Sequence, residues 1–287
     1  MHLTFLGGAD EVGASCLLLE ISGKRLLIDA GLRPSPKARW GLAGDQLPDL
    51  SLIDQAGGPS ASSGRGPSAS SGRGLDAILV THAHTDHTGA LELAVGRYPD
   101  CPVYATPVTS ALTRVLHADS RRIMKTRLDE EGELPLFDEV ATQKLLSAFV
   151  PVPFNTRLPL GEGLAATFYL AGHIAGAACI ALESDEGRVL ISGDVSISPQ
   201  RTVDGMKPPP FRPDVLILES TYGGRLHANR AVEERRLAAT IAEVTGAGGK
   251  VLIPAFALGR AQEVMLTLSE FRRRGEFPNV SVWVDGM

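Results

Sequence analysis

The sequence predicts an α/β chain in two parts, the first rich in strands and the second alternating strand with helix. Three observations predict it. Short apolar runs separated by Gly-containing turns recur through the first 192 residues. A proline-rich stretch, Lys207-Pro-Pro-Pro-Phe-Arg-Pro213, then stiffens the chain. Beyond it, extended and helical patterns follow one another in a βαβαβ rhythm, which predicts a parallel sheet. The 287 residues suit one large domain or two modest ones, with ample core. A composition of 44% hydrophobic and 21% charged residues excludes a wholly disordered chain. No uninterrupted apolar run reaches the length of about 18 residues that a membrane-spanning helix needs.

In chain order, Leu3 to Leu6, Ser15 to Ile21 and Arg25 to Asp29 read as strands. From Gly31 to Gly74 the pattern loosens. Here Pro-Ser-Ala-Ser-Ser-Gly-Arg-Gly occurs twice, at 59–66 and 67–74, so about 55–74 is expected to be a flexible surface insertion. Ala77 to Thr81 reads as a buried strand, Ala90 to Val95 as helix, Val103 to Ala105 as a short strand, and Pro107 to about Arg127 as helix. Arg114, Arg121, Arg122, Lys125 and Arg127 make that last helix basic, read here as a solvated face. Leu164 to Leu170, Ala177 to Glu183 and Arg188 to Ser192 read as three further strands. In the second part Val215 to Glu219, Lys250 to Pro254 and Val280 to Asp285 read as strands. Ala231 to Val244 and Arg260 to Arg273 read as helices. The domains expected are therefore 1–212 and 213–287.

The net charge of −5 argues against a histone-like coat for nucleic acid, though not against a local basic patch. Residues Met1 to Gly8 show no basic region followed by an apolar stretch, so no secretory signal is read. Cys16, Cys101 and Cys179 are scattered, with no CxxC, which argues against a disulfide framework and for a reducing, cytoplasmic setting.

Three of the seven histidines crowd into His82-x-His84-x-Asp86-His87. From this composition the pattern has a chance expectation of roughly 2 in 10,000. At a strand end, His82 and His84 point the same way because side chains alternate with period two. After the turn, Asp86 and His87 face a second point nearby. Imidazole and carboxylate together suit zinc, manganese or iron. His173 lies in a Gly-flanked turn, and Asp29 and Asp194 end strands, where functional acids are often carried. Taken singly, Asp29 and Asp194 read as turn or cap residues. Taken with the cluster, all three join a metal site.

This order of motifs resembles the metallo-β-lactamase fold: Asp29 in Asp-Ala-Gly, the His82–His87 cluster, His173, then Asp194 in Ser-Gly-Asp. The resemblance covers about residues 1 to 212 and implies an αββα sandwich with a dinuclear site at the edge between two sheets. Gly8 to Cys16, Leu218 to Gly223 and Val251 to Glu263 further resemble the β-CASP branch of RNA-processing nucleases, and imply that 213–287 is the first βαβαβ part of a β-CASP domain.

That resemblance implies a metal-dependent ribonuclease. A hydroxide generated between two zinc ions would attack a phosphodiester of single-stranded RNA; manganese would satisfy the same ligands. Carried over residue by residue, His82, His84 and His173 hold the first metal. Asp86, His87 and Asp194 hold the second, with Asp194 bridging. Asp29 orients a ligand or the water, and Glu219 a ligand or a proton-transferring histidine. His227 is a candidate phosphate contact, although a loop histidine is a surface residue by default. No histidine follows His227, so the family's further histidines have no counterpart, and a second metal short of a ligand and weakened activity are expected. The rival readings are a thioester or lactone hydrolase of the same fold and an inactive partner subunit. A second copy of the chain or a β-CASP partner is the protein partner expected.

Overall fold

The computed structural model describes residues 1–34, 46–55 and 74–285. Most of the insertion expected at 55–74 lies outside the described residues. Strands β1 (His2–Gly7), β2 (Cys16–Ile21), β3 (Lys24–Ile28), β4 (Ala77–Leu79), β5 (Val103–Ala105) and β6 (Phe149–Pro151) form one sheet in that spatial order. A second sheet runs β11 (Val215–Ile217), β10 (Gly187–Ile191), β9 (Ala178–Ser184), β8 (Leu164–Leu170), β7 (Arg157–Gly161). The helices are α1 (Leu52–Gln55), α2 (Thr85–Thr88), α3 (Leu91–Arg97), α4 (Pro107–Glu131), α5 (Glu139–Ala148), α6 (Arg230–Gly246) and α7 (Arg260–Arg273). No helix among the described residues is long and apolar enough to cross a membrane.

The period of two along each strand explains the layers. On β2 and β3, Leu17, Leu19, Ile21, Leu26 and Ile28 face the second sheet, where they meet Leu164, Ala166, Phe168, Ile180 and Leu182. The alternate residues Cys16, Leu18 and Leu27 face the other way and pack with Leu91, Ala94 and Val95 of α3 and Leu145 of α5. Both faces of the first sheet are thus covered, which is why the first four residues of β2, Cys16 to Leu19, are all apolar. All three cysteines are buried free thiols. Of the basic residues of α4, Arg114, Arg122, Lys125 and Arg127 are exposed and Arg121 is half-buried; Arg122 pairs with Asp119 at 2.6 Å and Arg121 with Glu139.

Strand direction places the site. β1 and β3 both run antiparallel to β2, and β4 runs parallel to β3. β8 and β10 both run antiparallel to β9, and β11 runs parallel to β10. The segments after β1, β3, β4, β5 and β6 therefore leave at one end of the first sheet, and those after β8, β10 and β11 at one end of the second.

The second part departs from expectation in one respect. Its first strand, β11, pairs in parallel with β10 and so extends the first part's sheet. Residues 250–254 and 280–285 form no ladder among the described residues, so the parallel sheet expected there is not formed. A strand persists only where a neighbour takes its backbone hydrogen bonds. Here Ile253 and Val280 instead pack against the α6–α7 core of Ala238, Ile241, Leu268, Phe271 and Phe277. The helices α6 and α7 lie where the periodicity places them. Three elements of the first part carry weak signals: β6 is three residues ending in Pro151, β7 contains Pro159, and α5 is a short helix between them and α4.

Candidate metal centre

Backbone contacts hold the cluster in shape. Ala30 N–H donates to His87 O at 2.9 Å, Leu32 N–H to Thr85 O at 3.0 Å, and Ser15 N–H to Asp86 O at 3.0 Å. The α2 turn is thereby clamped onto the ends of β2 and β3. Gly31 makes the clamp fit, since a Cβ there would lie 1.6 Å from Asp86 O. Gly193, at φ +54°, lets the β10 end pass close to Thr81, where a Cβ would lie 2.7 Å from the Thr81 Cβ.

Asp29, 4% exposed, stands at φ +58°, which is uncommon for a non-glycine residue. Its Oδ1 accepts Thr81 N–H at 2.7 Å; its Oδ2 accepts Thr81 Oγ1–H at 2.7 Å and His87 Nδ1–H at 2.8 Å. The Nε2 of His87 is left facing Asp194 Oδ1 at 3.3 Å and Asp86 Oδ2 at 4.0 Å. The other oxygen of Asp194, Oδ2, faces His173 Nε2 at 3.4 Å and His82 Nε2 at 3.8 Å. His173 Nε2 is in turn 3.1 Å from His84 Nδ1.

These side chains form two sets able to hold a cation: His82, His84, His173 and Asp194, and His82, Asp86 and His87. The chemistry of the donors fits a divalent ion of the zinc or manganese kind. His82 gives the sharpest indication. It is wholly buried, and its Nε2 has no hydrogen-bond partner. An unpartnered buried nitrogen is costly in a folded protein unless something binds it. Burial first, then the neighbouring His87, His84 and His173, push the His82 pKa well below its usual value, so the ring is a neutral donor. Burial also lowers His173, against the pull of Asp194. His87 moves the other way: burial opposes its charge, but Asp29 and Asp194 outweigh burial and raise it well above the ordinary value. Burial resists ionisation of Asp194, yet His87, His173 and His84 hold its pKa low.

A cleft of about 500 Å³ opens over Asp29, Asp86, His87 and Asp194 and is also lined by Glu219 and Ser15. Glu219 enters through its backbone N–H, which donates to Ser192 Oγ at 3.0 Å, while its Oε2 accepts Thr221 N–H at 2.9 Å. His227 is not brought to the cleft: it is exposed, with its ring 5.0 Å from that of Tyr222. Thr81 and Ser15 went unread in the sequence. Thr81 looks there like the last strand residue, and Ser15, whose Oγ lies 3.3 Å from His87 Nε2, like the first.

The model of the metallo-beta-lactamase superfamily matches residues 9–213. The chain belongs to this superfamily. Similarity to curated relatives extends past that match, through the second part. Integrator complex subunit 11 of Danio rerio is 33% identical over 96% of this chain and 43% of its own length. Endoribonuclease YSH1 of Mycosarcoma maydis is 36% identical over 94% of this chain and 28% of its own. Cleavage and polyadenylation specificity factor subunit 3-I of Arabidopsis thaliana is 34% identical over 94% of this chain and 35% of its own. The chain thus spans less than half the length of these relatives. A solved protein of unknown function from Enterococcus faecalis V583 shares the fold, with a TM-score of 0.51 and 15% identity over 85% of this chain and 57% of that one.

Proposed function

We propose that this metallo-β-lactamase chain carries the dinuclear centre of a β-CASP nuclease that hydrolyses phosphodiesters of single-stranded RNA. The observation that carries the reading is Asp194, whose Oδ1 faces His87 and whose Oδ2 faces His82 and His173, so that one carboxylate reaches both donor sets. His82, His84 and His173 would hold one ion, zinc by preference and manganese as the alternative, and Asp86 and His87 the other, with Asp194 shared. Such an ion pair, when bound, lowers the pKa of a water and offsets negative charge at phosphorus. Asp29 keeps the proton on His87 Nδ1 and so leaves Nε2 free to coordinate. Asp86, which lines the cleft, would accept the proton of the attacking water, and Glu219, which also lines it, would orient the groups around it. His227, on the surface beside Tyr222, would meet the RNA backbone outside the cleft. The relatives named as nuclease or complex subunits support RNA as substrate and a protein partner for this chain.

The test is elemental mass spectrometry on the purified chain followed by an assay on labelled single-stranded RNA. About two equivalents of zinc or manganese are expected, with cleavage that stops in chelator and in Asp194→Ala. Protein that binds no divalent ion, or cleavage indifferent to both treatments, would overturn the reading.

A further inference from the structure

The stretch 251–263 has no donor atom in the cluster, yet one of its residues touches a donor residue and another holds the loop beside one. Leu258 packs among Ala171, Ile174 and Ala177 of the turn that carries His173, and Cys179 of β9. Its carbonyl oxygen lies 3.4 Å from His84 Nε2. A carbonyl only accepts, so this contact places the His84 proton on Nε2. Nδ1, which faces His173, is then the atom with the free lone pair.

Glu263 is the second contact. It is 3% exposed although it belongs to α7 in the second part. Its Oε1 accepts Thr202 N–H at 2.7 Å and the Thr202 hydroxyl at 2.6 Å; its Oε2 accepts Arg201 N–H at 3.0 Å and the Arg230 guanidinium. A buried carboxylate with this many donors holds the backbone of 201–202 in one place. The residue before them, Gln200, donates from Nε2 to Gly172 O at 3.0 Å and to His173 O at 2.6 Å. The turn has little slack of its own. A Cβ on Gly172 would lie 2.3 Å from Ser196 O, and one on Gly259 3.0 Å from Ile174.

We propose that Leu258 and Glu263 make the second part a positioning element of the metal centre: the Leu258 carbonyl sets the tautomer of His84, and Glu263, through Gln200, holds the turn of His173. Neither touches a reacting atom. The inference rests on the metal reading above and concerns the ion held by His84 and His173. A mere docking contact between the two parts would affect folding alone. A positioning role also affects how tightly those two imidazoles bind.

The experiment is a titration of metal-free full chain with Co²⁺, read by its visible absorption and by chelator competition. The proteins are wild type, Glu263→Gln, Gln200→Ala, their double variant, and Ile241→Val in the α6–α7 core as a control for stability. Glu263→Gln and Gln200→Ala are each expected to weaken the tighter Co²⁺ site by about 10-fold or more and to alter its absorption, the usual scale for groups that orient a ligand. The double variant should bind no more weakly than the weaker single variant, because both act along one path. Ile241→Val should lower the melting temperature with Co²⁺ affinity unchanged. Glu263→Gln behaving like Ile241→Val would overturn the proposal, as would full additivity in the double variant. If Glu263→Gln does not fold, Gln200→Ala, on a half-buried loop, decides alone by the same criterion. Wild type that binds no Co²⁺ would sink the metal reading itself, whereas wild type and variants binding equally would sink only this inference.

Discussion

Asp29 shows how much one side chain arranges. Three hydrogen bonds converge on it, from Thr81 twice and His87 once, in a backbone conformation that aspartate and asparagine tolerate better than most residues. Asp29→Asn keeps that conformation and the size of the side chain but removes the charge that holds His87. The protein should fold, with metal affinity at the Asp86–His87 side reduced by about 10- to 100-fold. Competition with a chelator measures it, and an unchanged affinity would show that Asp29 does not act through His87. The residue-level reading of the site was largely available in the chain itself. His82, His84, Asp86, His87, His173 and Asp194 announce themselves by residue type and by lying at strand ends. Thr81, Ser15 and Gln200 do not, because a hydroxyl or amide becomes informative only when its partner is known.

Elements add what residues cannot. The N-terminal half of α7 docks on the loop after Asp194 through Glu263, and the charge of that acid gives a measurable pH signature. Burial opposes ionisation of Glu263. The Thr202 hydroxyl, the N–H groups of Arg201 and Thr202, and Arg230 outweigh it and hold the carboxyl below its ordinary value of 4.5. Arg201 and Arg230 also bind Glu234. A carboxyl depressed in the folded state contributes stability that is present above its unfolded pKa and lost as pH falls through the folded one. The stability difference between wild type and Glu263→Gln should therefore be full at neutral pH and shrink below pH 4.5 as the acid protonates. Urea unfolding of both proteins at several pH values checks it; a difference that stays constant into acid would refute the ionised contact. Another buried pair escaped the sequence reading altogether. His117 Nδ1 on α4 lies 2.6 Å from Glu92 Oε1 on α3, and His117 Nε2 lies 3.2 Å from Thr88 Oγ1. Each half looks like an ordinary surface residue of an amphipathic helix, and only helix packing makes them neighbours.

At the scale of the molecule, the cluster draws on both sheets. Asp29 and His82 follow strands of the first sheet; His173 and Asp194 follow strands of the second. An ion held by His82, His173 and Asp194 would link the two layers and bind the folded chain in preference to the unfolded one. Saturation at 100 times Kd would stabilise it by about 2.7 kcal/mol. Removing divalent ions with chelator should lower the melting temperature by several degrees, and added zinc should restore it. Identical melting with and without metal would contradict a centre that spans the sheets.

The chain's own order determined a good deal: most strands and helices, the two faces of each strand, and the His and Asp side chains that the fold gathers into the candidate cluster. Hydrophobic period and the chemistry of strand-end side chains are local properties, legible from neighbours in sequence. Only the tertiary structure decided that Val215–Ile217 completes the first part's sheet, that 250–254 and 280–285 pack beside helices without a ladder, and which oxygen of Asp194 faces which imidazole. It alone brought Leu258 and Glu263 to His84 and to the loop beside His173. These are choices of partner between segments far apart in the chain. A strand or a buried polar group is stabilised by what it meets, and its own sequence does not say what that will be.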